Sequence, residues 1–261
     1  MKYGFIGCGN MGGAIAKALS KSTQDILISD PSSVVKEFAA CIGCQSADNI
    51  TVASNCDRIF LAVKPQLMAG VLAPITKVLK EKKPLLITIA AGIEIQAIEQ
   101  MIGTSLPIIR LMPNTPVSVE KGMIVYCKND LVSDDVMDDF LCDMRFCGTL
   151  DPIDEKLIDA ASALSGSGPA YLYMFLEAMA DGAVACGLPR KKAMEYAAVT
   201  MAGAAQMYLT TGKHPGELKD AVCSPAGSTI VGVQQLETHG FRGAVIDCIM
   251  AAYRKNKELG K

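Results

Sequence analysis

Residues 2–12 read KYGFIGCGNMG, and this stretch decides the fold of the first half of the chain. Residues 2–6 have the apolar pattern of a buried strand, and the residues after them match the spacing G-x-G-x-x-G. A glycine-rich turn between a first strand and a first helix is typical of a βαβ unit that binds a dinucleotide. Residues 7–12 are called the glycine loop below.

Each glycine of the loop has a separate physical task. Gly7 allows a tight turn, Gly9 lets a pyrophosphate approach the backbone, and Gly12 lets the helix pack closely on the strand. Asn10 and Met11 open that helix, whose free N–H groups and dipole favour an anion. The loop therefore predicts a site for the pyrophosphate of a nicotinamide dinucleotide.

The rest of the first half repeats this alternation and predicts a mostly parallel sheet of the Rossmann type. Further strands are expected at 26–29, 58–63, 85–90 and 107–111, and helices at 11–20, 34–41, 66–80 and 95–102. Two edge strands are expected at 123–127 and 149–153, flanking a helix at 134–146. The sequence thus predicts an α/β dinucleotide-binding domain over residues 1–152.

Strand patterns then give way to helices, which predicts an all-α domain over residues 153–261. The expected helices are 155–164, 170–186, 191–211, 216–222, 228–239 and 241–259. Many of their residues are alanine or glycine, which lets helices approach closely. This composition suits a dimer interface, and it suits packing within one subunit equally well.

Composition excludes several classes of function. The 25 Lys and Arg and 27 Asp and Glu give a net charge of −2, which argues against a nucleic-acid binder. No membrane span and no leader peptide are expected, because the longest uncharged run is broken by Ser165–Pro169 and apolar residues begin at Tyr3. Six of the ten cysteines stand alone among apolar neighbours, which favours a reducing compartment and a cytoplasmic location; they are Cys8, Cys56, Cys127, Cys186, Cys223 and Cys248.

Asp30, at the end of the second expected strand, bears on the choice of cofactor. A carboxylate there accepts hydrogen bonds from the adenosine ribose and repels a 2′-phosphate, which favours NADH. A second interpretation is equally open, because Asp30 and Pro31 precede a helix and suit its N-cap.

Three strand ends should meet at the ligand edge of the sheet: residues 62–65 (AVKP), 90–92 (AAG) and 112–116 (MPNTP). Small residues there leave room for a ribose and nicotinamide, while Lys64 and Asn114 offer donors. No metal site is expected, because the Cys41–Cys44 pair lacks a second pair of ligands. No acid–base centre is expected either, and a protonated imine can be reduced without a strong acid.

These motifs, with SGSGPAY at 165–171, HPG at 214–216 and DAVCSPAGST at 220–229, closely resemble the pyrroline-5-carboxylate reductase family. The resemblance covers nearly the whole chain. It implies a Rossmann domain, a helical dimerisation domain and NADH- or NADPH-dependent reduction of 1-pyrroline-5-carboxylate to L-proline, the last step of proline biosynthesis. It also implies homodimers that assemble into larger rings.

The resemblance assigns site residues by position. The pyrophosphate would lie against Gly7, Gly9, Asn10, Met11 and Gly12, while Asp30 is placed near the adenosine ribose by its spacing from Gly7 alone. The nicotinamide end would be lined by Ala62, Val63, Lys64, Pro65, Ala91 and Asn114. The substrate would meet Ser165, Ser167, Gly227, Ser228 and Thr229, with the Thr229 hydroxyl on the ring nitrogen as the catalytic contact.

Two positions depart from the family pattern. The family has Gly-Gly where this chain has Ala226-Gly227, and many members prefer NADPH although Asp30 favours NADH. Two other classes resemble the chain less. A β-hydroxyacid dehydrogenase would need a lysine within 166–188, which holds none, and a non-catalytic dinucleotide sensor has no need of the 224–229 loop.

Overall fold

A computed structural model describes residues 1–259 of the chain. Within this range a sheet of eight strands forms the centre of the first half. The strands are β1 Tyr3–Ile6, β2 Ile26–Ser29, β3 Gln45–Ser46, β4 Arg58–Leu61, β5 Leu85–Thr88, β6 Ile108–Met112, β7 Gly122–Lys128 and β8 Gly148–Pro152.

The strand order is β3-β2-β1-β4-β5-β6-β7-β8, and every neighbouring pair is parallel except β6 with β7. The first six strands have the order of a doubly wound dinucleotide-binding fold. The chain reverses direction across the sheet between β1 and β4, and ligands bind outside the carboxyl ends of the strands at such a point. The predicted Rossmann-type fold is confirmed.

Helices surround the sheet, and short 3-10 turns join several of them. The helices of this part are α1 Asn10–Leu19, α2 Val35–Cys41, α3 Asn49–Asn55, α4 Met68–Leu72, α5 Thr76–Lys82, α6 Ile95–Ile102, α7 Asp134–Asp143 and α8 Ile158–Ala161. Alternate residues of the central strands β1, β2, β4 and β5 enter opposite apolar clusters, because side chains of a strand point to alternate faces. Phe5 stacks on Phe60 at 4.4 Å between ring centroids on one face, and Ile6 belongs to the cluster on the other.

Three details differ from the sequence predictions. The single helix expected over 66–80 is two short helices, because Pro74 has no N–H to continue the ladder. Strand β3 was not predicted, since it has only two residues and both are exposed. Helix α3, which follows it, was not predicted either. Strand β7 is not an edge strand, because it lies between β6 and β8, and only β8 is at that edge.

The described chain forms two compact units, residues 1–167 with the segment from Ala252 onward, and residues 168–251. The predicted boundary after residue 152 lies inside the first unit, where β8 ends, and as a boundary between functional domains it stays a prediction. The remaining helices are α9 Gly168–Ala185, α10 Arg190–Thr211, α11 Pro215–Val222, α12 Ser228–Thr238 and α13 Phe241–Leu259. Among the described residues, no helix is long and apolar enough to cross a membrane.

The second unit has almost no core of its own. Among residues 168–251, the fully buried apolar side chains are those of Ala180, Ala193 and Ala197. Large apolar side chains are exposed instead, among them Met174 at 70%, Leu209 at 73% and Val199, Val231 and Ile246. Many large exposed apolar side chains in one unit are typical of a protein–protein interface.

A buried arginine joins the sheet to α7. The Arg58 side chain is 1% exposed, and its Nη1 donates to the Tyr3 hydroxyl at 2.7 Å and to the Asp143 carboxylate at 3.0 Å. The Tyr3 hydroxyl donates to the same Asp143 oxygen at 2.6 Å. Burial and the Asp143 carboxylate raise the pKa of Tyr3, so Tyr3 stays protonated as a donor.

Replacing Asp143 therefore leaves a buried charge without its main partner. We expect Asp143→Ala to lower the free energy of unfolding by roughly 2–4 kcal/mol. Asp139→Ala is the matched control, because the Asp139 carboxylate is 3.8 Å from Arg58 and 68% exposed, and its change should stay below about 0.5 kcal/mol. Urea titrations at one protein concentration measure both, and equal effects would contradict this account of Arg58.

Candidate active site

The glycine loop lies at the carboxyl end of β1, next to the carboxyl end of β4. Gly7 has φ +97°, a conformation that glycine adopts readily. A Cβ on Gly7 would lie 2.6 Å from the carbonyl oxygen of Ala62, and one on Gly12 would lie 2.8 Å from that of Gly7. Gly7 and Gly12 are thus required by the packing of α1 on the sheet.

Gly9 differs from both. A Cβ built on Gly9 would meet no protein atom within 4 Å, and its φ of −68° is open to any residue. The protein's own packing therefore gives no reason for glycine here. A ligand that approaches the backbone does give one, which is the role that the G-x-G-x-x-G pattern assigns to the second glycine.

Helix α1 begins directly after Gly9, and no side chain caps it. Its first turn starts with Asn10, which is exposed, and Met11, which packs partly on the core. Helix α1 has ten residues, and the unpaired N–H groups and positive dipole end at its N-terminus face this loop. These features fit the pyrophosphate of a dinucleotide.

The other predicted strand ends lie along the same edge of the sheet. Ala62 follows β4, and its methyl group is a second contact that restricts Gly12, at 2.9 Å from a Cβ built there. Val63 is half-buried, Lys64 is exposed, and Pro65 begins a 3-10 turn. After β5, Ala91 is half-buried beside Gly92, which has φ +74°.

Asn114, after β6, braces two chain segments. Its side-chain oxygen accepts the N–H of Met123 at 2.9 Å, and its Nδ2 donates to the carbonyl oxygen of Ser165 at 3.0 Å. Asn114 is 7% exposed, so the amide is held firmly. The structure thereby brings together Asn114 and Ser165, which the sequence placed at the cofactor and substrate ends of one site.

Ser165 lies in a π-helical turn, Ser162–Gly166, which follows α8. A loop was expected at 165–169, and only Ser167 separates this turn from α9. The Ser165 hydroxyl donates to the Ala161 carbonyl at 2.9 Å, and the Ser167 N–H to that of Ser162 at 3.1 Å. Single π-helical turns occur frequently at functional sites.

A buried ion cluster supports this region and was missed from the sequence. Arg110 of β6 is 2% exposed and pairs with Glu155 at 3.0 Å and Asp159 at 3.9 Å. The same Glu155 oxygen accepts the N–H of Ile95, at the start of α6, at 2.8 Å. Lys257, near the end of α13, pairs with Asp159 at 3.1 Å. Residues so distant in sequence give no periodic signal that could have revealed the cluster.

The Asp30 carboxylate accepts two backbone N–H groups, from Cys8 at 2.7 Å and from Ser32 at 2.8 Å. Helix α2 begins at Val35 with Val34 as its N-cap, so the interpretation of Asp30 as an N-cap is wrong. Pro31 and a turn at Ser32 lie between Asp30 and α2, which begins only at Val35. Asp30 instead fixes the backbone of the glycine loop.

In the second unit, the 224–229 loop ends at the start of α12. Gly227 is the N-cap of this helix, no side chain caps it, and Ser228 and Thr229 in its first turn are exposed. Ala226 has φ +57°, a left-handed conformation that disfavours any residue with a Cβ by about 1–2 kcal/mol. The Ala226 methyl therefore alters the energy of the loop, while the Gly227 N–H still donates to the Ser224 carbonyl at 3.0 Å.

His214 is the N-cap of α11. Its Nδ1 accepts the N–H of Gly216 at 3.1 Å at the start of α11. This contact accounts for a histidine next to Pro215 without a catalytic role.

Comparison with known proteins identifies the family. Residues 155–259 match the family model described as pyrroline-5-carboxylate reductase dimerisation, and residues 2–92 match NADP oxidoreductase coenzyme F420-dependent. Pyrroline-5-carboxylate reductase of Escherichia coli strain K12 is 44% identical, over 100% of this chain and 98% of that protein. The chain belongs to the pyrroline-5-carboxylate reductase family.

Solved structures agree with this membership. The pyrroline carboxylate reductase of Plasmodium falciparum, solved with NADP bound, is 33% identical with a TM-score of 0.91, covering 100% of this chain and 98% of that one. The reductase of Streptococcus pyogenes is 34% identical with a TM-score of 0.90, covering 99% and 98%. The predicted family, the Rossmann-type fold and the helical dimerisation region are confirmed.

The different environments of the two glycines give a prediction about stability. Gly12→Ala places a methyl group against backbone and should lower the free energy of unfolding by about 1–3 kcal/mol. Gly9→Ala is the matched control in the same loop, and it should lose less than about 1 kcal/mol, since only the N-cap preference changes. Urea titrations compare them, and equal losses would contradict the assignment of Gly9 to a ligand.

Proposed function

We propose that this chain reduces 1-pyrroline-5-carboxylate to L-proline with NADH or NADPH, as the last step of proline biosynthesis. The observation that carries the proposal is the full-length identity of 44% to a pyrroline-5-carboxylate reductase. The glycine loop and the loop before α12 supply the two anion-binding helix starts that a dinucleotide and a carboxylate substrate need.

The cofactor fits the first unit. We assign the pyrophosphate to the free N–H groups at the start of α1, where Gly9 leaves the backbone open. When bound, the reduced nicotinamide supplies a hydride. The residues assigned to the cofactor are Gly7, Gly9, Asn10, Met11, Gly12, Asp30, Ala62, Val63, Lys64, Pro65, Ala91 and Asn114.

The substrate is assigned to the loop before α12. The N–H groups of Ser228 and Thr229 belong to the uncapped first turn and suit the substrate carboxylate. A Cβ built on Gly227 would clash with the Ser224 side chain, so glycine at this position lets the turn before α12 close. The Thr229 hydroxyl is assigned to the ring nitrogen, and Ser165 and Ser167 to the substrate end of the π-helical turn.

Reduction of a protonated imine needs no strong general acid or base from the protein. A protonated imine already carries its proton, so hydride addition at the C=N carbon gives the neutral amine directly. Cys8 in the glycine loop cannot serve as a base at neutral pH, because burial and the Asp30 charge raise the pKa of its thiol to about 11. The residues act chiefly by holding the two reactants in position.

Oligomerisation follows from the composition of the second unit. Its apolar side chains lie exposed in the single chain, and the matching family model describes a dimerisation region. We propose a homodimer built on residues 153–261, with dimers assembling further into rings. All ten cysteines are free, which supports a location in the reducing cytoplasm, and no nucleic-acid or membrane partner is proposed.

The direct test follows nicotinamide absorbance as purified protein is mixed with 1-pyrroline-5-carboxylate and either cofactor. Oxidation of the cofactor with equimolar formation of proline is expected. A folded protein that binds dinucleotide but forms no proline would refute the proposed activity. Light scattering on the same sample should show a dimer or a multiple of it.

Thr229→Ala should lower kcat by about 10–100-fold, since it removes a hydrogen bond to a charged group worth about 1.5–3 kcal/mol. The affinity for the cofactor should not change. Thr238→Ala is the control, because Thr238 is exposed at the other end of α12 and its hydroxyl bonds only the Gln234 carbonyl. An unchanged kcat in Thr229→Ala would remove Thr229 from the mechanism.

A further inference from the structure

The carboxylate of Asp30 occupies a fixed place at the carboxyl end of β2, beside the glycine loop. The Cys8 N–H, within that loop, holds one oxygen at 2.7 Å, and the Ser32 N–H holds the other at 2.8 Å. A side chain anchored at both oxygens has lost its rotational freedom before any ligand arrives. Each oxygen nevertheless keeps a free lone pair, because a carboxylate can accept about four hydrogen bonds.

The charge on Asp30 is not neutralised by a cation. None of the ion pairs within residues 1–259 includes Asp30. The residues that follow are Pro31, Ser32 and Ser33, and the first cation is Lys36, which is exposed in α2. The same charge acts on its neighbour, where it contributes to the raised pKa of Cys8.

We propose that Asp30 makes this chain select NADH over NADPH, accepting hydrogen bonds from the adenosine ribose and repelling a 2′-phosphate. The inference rests on the proposed function and deepens it by naming the cofactor. A 2′-hydroxyl supplies the donor that the free lone pairs need. A 2′-phosphate lacks that donor and brings a like charge next to a carboxylate that cannot turn away. We therefore expect NADPH to bind this chain more weakly than NADH, although a family member was solved with NADP bound.

The effect is measured as the ratio of two dissociation constants. Calorimetric titration of the whole protein with NADH and with NADPH should give a Kd for NADPH about 10–100-fold above that for NADH. Raising the salt concentration should narrow this ratio, because a charge repulsion near the surface is screened. A preference due to shape alone would not respond to salt.

Two neutral variants test the residue itself. Asp30→Asn and Asp30→Ser remove the charge and keep an acceptor for one backbone N–H, and each should lower the ratio by about 10-fold, mainly through tighter binding of NADPH. Asp57→Asn is the matched control. The Asp57 carboxylate also accepts a backbone N–H, from Lys2 at 2.9 Å, but Asp57 precedes β4 at the opposite ends of the strands. Its ratio should equal that of the unaltered chain.

Equal binding of the two cofactors by the unaltered chain would overturn the inference, as would a ratio that both Asp30 variants leave unchanged. Formation of proline from 1-pyrroline-5-carboxylate in that same chain would show that the proposed function survives and only the selectivity fails. Binding of neither dinucleotide, together with no proline formed, would overturn both.

Discussion

The close contact of α1 with the ends of strands β1 and β4 is the constraint on which the rest of the site depends. Gly7, Gly12 and Ala62 meet with backbone separations that admit no further carbon atom. Larger residues would push α1 outward and turn its N-terminus away from the carboxyl ends of β1 and β4. Because the helix is held this closely, its free N–H groups lie where the strand order reverses.

The same edge of the sheet is reinforced by polar contacts rather than by apolar packing. Asp30 holds the glycine loop through the Cys8 N–H, and Asn114 holds the π-helical turn through the Ser165 carbonyl. The cluster around Arg110 fixes the segment just before that turn. Such buried contacts position a site firmly, because each removed partner leaves an unsatisfied polar group.

Much of this could be predicted from sequence, since the relevant signals are local. Strand β2 and helix α6 have the predicted bounds, because turn residues delimit their apolar runs. The order of motifs along the predicted strand ends also placed the candidate site. What escaped prediction depends on contacts between distant residues or on very short elements, as with Arg110 and Glu155, or strand β3. The contact of Asp30 with the Cys8 N–H is of this kind, since a sequence shows a carboxylate but not the distant group that it holds.

Ala226 shows that the shape of the loop before α12 is set by its surroundings. The residue keeps a left-handed backbone although its side chain disfavours one, because the turn from Ser224 to Gly227 and the start of α12 fix both flanks. Glycine would adopt this left-handed conformation more readily, but the loop does not require it. Chains with alanine here, such as this one, depart from the family's letters while they keep the left-handed backbone. A pattern defined by backbone dihedral angles would recognise such chains, whereas a pattern defined by residue types would not.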